Sequence, residues 1–306
     1  MASWKLFLYL TPFWEPTLDN VIFERETSRP PIWRGAAGWI PRVASALVLL
    51  VVVMNLAASK LNNPVIFCLN NTTCLLFPLV LVTPSLLLWA LPLGLTLAPT
   101  IVRERELHTW DTLLLTPLDI NLILLSKAGG AMWWLRDMMY TMRVVLLVTS
   151  WVVGVMSLVL LESSAPLPDL SSATVCGMAI VLMLVSAGLF LLDRAQQFVL
   201  MVVAALAAST SASTTRMALP GASVAALGAW LFDVSLALLV ASILPGPAVR
   251  FMEFRAIVLA VVGPLGVYLT ELSFVQAALA IAGTFTLREI AVRALWRWTV
   301  RAARSV

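Results

Sequence analysis

Long apolar runs decide the fold class of this chain before any other feature is weighed. They lie at about 43–58, 75–97, 144–161, 172–192, 196–211, 221–244, 256–270 and 272–287. About 20 apolar residues in a helix cross the ~30 Å hydrocarbon layer of a bilayer. Lipid offers no water to backbone N–H and C=O groups, so runs of this length require helices. Composition agrees: 61% of residues are hydrophobic and 12% charged, about half the charged share of a soluble domain. The mean hydropathy is +0.96. The expectation is an all-α, polytopic integral membrane protein with about eight transmembrane helices.

Charge placement orients these helices. Arg288, Arg293, Arg297, Arg301 and Arg304 recur near every fourth residue with Trp296 and Trp298, a basic stripe expected on a helix lying against anionic lipid. With both termini cytoplasmic, nearly all Lys and Arg fall inside, as the positive-inside rule asks; Lys60 and Arg216 are the exceptions. The organisation expected is a cytoplasmic interfacial segment 1–42, a transmembrane domain 43–287 with a cytoplasmic loop at 100–143, and a basic amphipathic tail 288–306. The location expected is the inner membrane of a bacterium.

Smaller features refine the picture. Pro78, Pro84 and Pro92 should kink the second run, since each removes a backbone donor. The fourth run should turn at Asp193–Arg194 into a fifth at 196–211, with Arg216 at the outer end. Gly221, Ala225, Gly228 and Ala229 should let the fifth and sixth helices approach closely. Cys68 and Cys74 share an outer loop, as a disulfide or as two thiols.

Several chemistries are excluded. His108 is the single histidine, so no His pair can hold zinc. No Gly-Lys-Ser/Thr occurs, so the chain carries no phosphate loop. No catalytic, cofactor or metal set is expected, and the basic balance answers to the membrane rather than to nucleic acid. Asp233 is the acidic residue set well inside an apolar run. A carboxylate there must face a polar cavity or find a partner, which makes it a candidate intramembrane polar site.

The stretch from Ile101 to Lys127, IVRERELHTWDTLLLTPLDINLILLSK, cannot sit in hydrocarbon. Leu107, Trp110, Leu113 and Leu114 recur at helical spacing behind the charged cluster, and Thr116-Pro117 stops the helix. Glu104-Arg105-Glu106, Thr109-Trp110, Leu113 to Leu118 and Lys127 resemble the loop between the second and third spans of type-2 ABC exporter permeases. There the pattern is roughly E-R-E-x-G-T, then L-L-x-T-P-L, then a Lys; His108 stands where that family has Gly. The piece Asn20 to Glu26 is similar to the pre-membrane segment of bacterial members.

The resemblance implies a permease subunit with a six-helix core, to which the last hairpin is an addition. It implies that this loop is a coupling helix docked on a cytoplasmic ABC ATPase through Glu104, Arg105, Glu106, Thr109, Trp110, Leu113, Thr116, Pro117 and Lys127. It also implies a second permease copy as partner, with membrane lipid around both. The other function considered is a non-transporting, architectural subunit of a larger membrane complex, photosynthetic or respiratory, built on the same scaffold.

Overall fold

The computed structural model describes residues 21–28, 92–135, 172–243 and 274–305, with isolated positions at 46, 146, 147 and 150. The expectations for the first, third and seventh apolar runs, for Pro78 and Pro84, and for Cys68 and Cys74 lie outside the described residues. Regular structure among the described residues is helical throughout. In chain order the helices are α1 Val21–Thr27, α2 Pro99–Glu106, α3 Trp110–Leu114, α4 Ile120–Trp133, α5 Ser172–Ser211, α6 Thr215–Ile243 and α7 Phe274–Arg304. Residues 92–97 are also helical and lead into α2.

Helix α5 differs from the expectation. It runs unbroken for 40 residues, about 60 Å at 1.5 Å per residue, straight through Asp193–Arg194. Charged residues break an apolar helix only when they must reach water. Here both are buried, Asp193 paired with Arg288 of α7 and Arg194 with Gln197 of α5 itself, so the backbone continues. One helix among the described residues, Leu184–Ser211 within α5, is long and apolar enough to cross a membrane.

Helix α7 likewise joins what was read as a last span and a separate tail. Arg288 is fully buried and Ala303 is at 0% exposure, so the tail is one wall of a helix bundle rather than a free surface stripe. Arg297, Arg301 and Arg304 do face outward.

Helices α6 and α7 each lie along α5 and touch one another little. The expected close packing of the fifth and sixth runs is present, and of the residues expected to permit it Ala229 is buried and Ala225 half-buried against the core. Ala218, Ala222, Ala226 and Ala229 form the buried stripe of α6, whereas a Cβ added at Gly221 or Gly228 would meet nothing within 4 Å. Space is tight elsewhere: a Cβ on Gly94 would lie 2.8 Å from Ser223 Cα, so residues 92–97 cross α6 backbone against backbone.

The turn between α2 and α3 depends on one residue. His108 has φ 53, in the left-handed region that costs an L-residue about 1–2 kcal/mol and that His enters more readily than most. Leu107 N donates to Arg103 O at 3.0 Å and His108 N to Arg105 O at 3.0 Å, closing α2 in the manner that glycine usually provides. The departure at His108 therefore leaves the turn geometry intact. His108→Gly is expected to raise thermal stability slightly, and His108→Val to lower it by about 1–2 kcal/mol, because a β-branched side chain tolerates positive φ poorly. Equal melting temperatures for the two variants would contradict this account.

A candidate docking loop on a buried ion centre

The loop from 103 to 119 is set on a cluster of charges that sequence spacing alone does not group. Glu104 Oε1 accepts from Arg25 of α1 and lies 3.2 Å from Lys127 Nζ of α4. Its Oε2 accepts from the Thr109 hydroxyl. Lys127 Nζ also donates to Glu26 Oε1 at 2.8 Å. Glu104 and Lys127 are both buried, at 1% and 0% exposure. Two acids, two bases and a hydroxyl thus join three helices and the start of α3.

The sequence supplies what this centre needs locally. Asp119 has extended ψ of 137 and accepts from Asn121 N, capping α4; this sets the register that points Lys127 inward. Gly130 of the same helix lets α1 approach. A Cβ there would fall 2.4 Å from Glu26 Cβ. Phe23 meets Trp133 edge-on at 6.1 Å, and Trp134 Nε1 donates to Glu26 O at 3.4 Å. The short helix α1, too brief to persist alone, is held by this contact with α4.

The electrostatics follow from the geometry. Burial pushes the Glu104 carboxyl up, but the Lys127 charge, the Thr109 hydroxyl and Arg25 outweigh it and hold the group at about 2, against 4.5.

Further ties fix the loop to the bundle. Glu106 accepts from Thr215 N and Thr215 Oγ1, both at 2.7 Å, so it caps the start of α6 where backbone N–H groups lack partners. These two donors hold Glu106 below the usual carboxylate range. Arg105 Nη1 donates to Thr210 O at 2.6 Å and its guanidinium sits 6.0 Å over the Trp110 ring. Trp110 Nε1 donates to Ala303 O at 3.1 Å, and Trp296 Nε1 to Asn121 Oδ1 at 3.1 Å. The α5–α6 turn, the loop and the end of α7 consequently share one end of the fold. Arg216 lies at that same end, beside Thr215, and not at the end away from the loop.

No family model, curated protein or solved structure matches the chain.

The residues expected to dock a partner divide into two groups. Glu104, Trp110, Leu113 and Lys127 are buried, so they hold the loop and do not form its contact face. Arg105, Thr109 and Thr116 are half-buried, while Glu106 and Pro117 are exposed. The outward face also carries Leu107, His108, Asp111, Thr112 and Leu115, the last at 85% exposure. Helix α3 stops at Leu114, just before Thr116-Pro117 as expected.

Asp233 has a partner that sequence reading did not assign. Arg288 of α7 forms ion pairs with both Asp233 of α6 and Asp193 of α5. Arg194 Nη1 donates to Gln197 Oε1 at 2.8 Å, and its guanidinium stacks 5.2 Å from the Phe190 ring. The signal available was charge balance: two acids and two bases interrupt three otherwise apolar runs. Glu26 and Arg25 were also missed as site residues, although their segment carried the second resemblance. No group of three or more His, Cys, Asp or Glu suited to a metal occurs among the described residues.

Proposed function

We propose that the chain is the transmembrane permease subunit of an ATP-driven exporter of the type-2 ABC class, polytopic but with fewer than eight spans because α5 joins two of the apolar runs, and with both termini cytoplasmic. The observation that carries the reading is the closure of Arg25, Glu26, Glu104, Thr109 and Lys127 on one centre. These residues come from the two stretches that resemble that family, far apart in the chain. A chance likeness in two short motifs gives no reason for their side chains to meet.

The distribution of polarity supports the membrane part. Val181, Leu184, Val224, Leu231, Leu279 and Ile290 are exposed on α5, α6 and α7, while Asp193, Arg194, Asp233 and Arg288 are buried. An apolar exterior around a charged interior suits hydrocarbon solvent and would leave large sticky patches in water.

In this reading the buried centre makes the loop rigid. The outward face of Leu107, His108, Asp111 and Leu115 meets a groove on the ATPase, and closure of the nucleotide sites pushes on it. Because Arg105, Glu106 and Trp110 tie the loop to α5, α6 and α7, that push reaches the bundle as a rigid-body movement. ATP hydrolysis itself belongs to the partner.

The test is affinity purification of the full chain from its native membrane, followed by identification of co-eluting chains. An ABC ATPase is the expected partner, lost on Leu115→Arg with melting temperature unchanged. Co-elution at fixed stoichiometry with redox or pigment subunits, and no ATPase, would replace this reading with the architectural one. Labelling of a cysteine at Leu115 from the outer face would overturn the orientation.

A further inference from the structure

Because α6 and α7 both lie on α5 and scarcely touch, a groove of ≈ 780 Å³ runs between them. Ala204 and Ala208 of α5 form its floor, Gly228 and Phe232 of α6 one wall, and Trp298 and Arg301 of α7 part of the other. Its lining is apolar except at Arg301. Phe232 adjoins Asp233, whose bridge to Arg288 ties α6 to α7 and closes one end. The other end lies beside Ala303 and Trp110, where the polar loop is.

We propose that this groove holds an acyl chain of an anionic phospholipid, with the lipid phosphate on Arg301. The inference rests on the membrane reading above. From Ala291 to Arg301, the stretch of α7 that lines the groove, the helical rise is about 15 Å, the depth of hydrocarbon in one leaflet. The charged mouth is at the end that reading places at the water interface, so headgroup and chain fall where a leaflet lipid has them. Arg301 is exposed and meets no carboxylate among the described residues; its Nε donates to Arg297 O at 3.4 Å. Exposed Arg297 adds positive potential, and Trp298 supplies the interfacial ring that such positions favour.

Native mass spectrometry of the detergent-purified full chain, equilibrated with equal phosphatidylglycerol and phosphatidylcholine, provides the test. The unmodified chain should retain phosphatidylglycerol preferentially. Arg301→Gln should reduce that preference roughly five-fold, the share one basic group supplies near a membrane. Gly228→Leu should lower retention of both lipids, and since a Cβ there meets nothing the helix packing should survive, as read by circular dichroism. Unchanged retention in folded Gly228→Leu, or unchanged preference in Arg301→Gln, overturns the lipid site. Loss of a dimer on filling the groove reassigns it to a second copy of the chain. A chain that stays dispersed and lipid-free without detergent overturns the membrane reading itself, whereas a detergent-requiring chain indifferent to both variants overturns only the groove.

Discussion

Arg288→Met is expected to lower stability by about 3–5 kcal/mol, the range for removing one partner of a buried ion pair. Arg288 lies between Asp193 and Asp233, and all three are buried. Without the guanidinium, two carboxylates face one another with only Arg194 near, itself 3.7 Å from Asp193. One acid must then be protonated or reach solvent, which opens the bundle. Arg288→Lys should lie between, because a single ammonium cannot bridge two carboxylates in the planar fork that Arg presents. The combined variant Asp193→Asn, Asp233→Asn, Arg288→Met should recover much of the loss, since neutral packing can equal a buried ion set. Thermal unfolding in detergent is the measurement. A melting temperature for Arg288→Met equal to that of the unmodified chain would mean that the bridge contributes nothing.

Glu104 gives the second large effect, and it is pH-dependent. Its carboxyl is held at about 2 in the folded chain against 4.5. A depressed folded value means that the ionised form is favoured by folding. The stabilisation is therefore fully present above about pH 4.5 and is lost as pH falls towards 2. At about 1.4 kcal/mol per pH unit it amounts to at most about 3 kcal/mol. Glu104→Gln should remove a similar amount at pH 7, leaving Lys127 with Glu26 alone and Arg25 unpaired, and should flatten the acid limb of the stability profile. Because α1 is held mainly through this centre and its contact with α4, proteolysis near residue 28 should accelerate in the variant. An acid limb unchanged by Glu104→Gln would assign the acid sensitivity to other carboxylates.

The sequence and the structure divide the information along a physical line. Apolar period and length were enough to expect helices, and the Thr116-Pro117 stop was readable because proline ends a helix by local sterics. The loop motif was likewise readable as a unit of charge and helix.

Its inner and outer residues were not separable, since Glu104 and Leu107 differ in burial only because α1 and α4 cover one side. The same holds for Asp193–Arg194. Two adjacent charges in an apolar run read as a turn when no partner is in view, and the partner of Asp193, Arg288, is 95 residues away in sequence.

What the chain determined alone is what depends on neighbours along it: helical segments, the stop at Thr116-Pro117, and the polar character of 101–127. Tertiary structure decided which charges meet. Burying a carboxylate is unfavourable until a cation arrives from another helix, so the continuity of α5, the inward place of Arg288 and the Glu104–Lys127 centre exist only once the helices are packed.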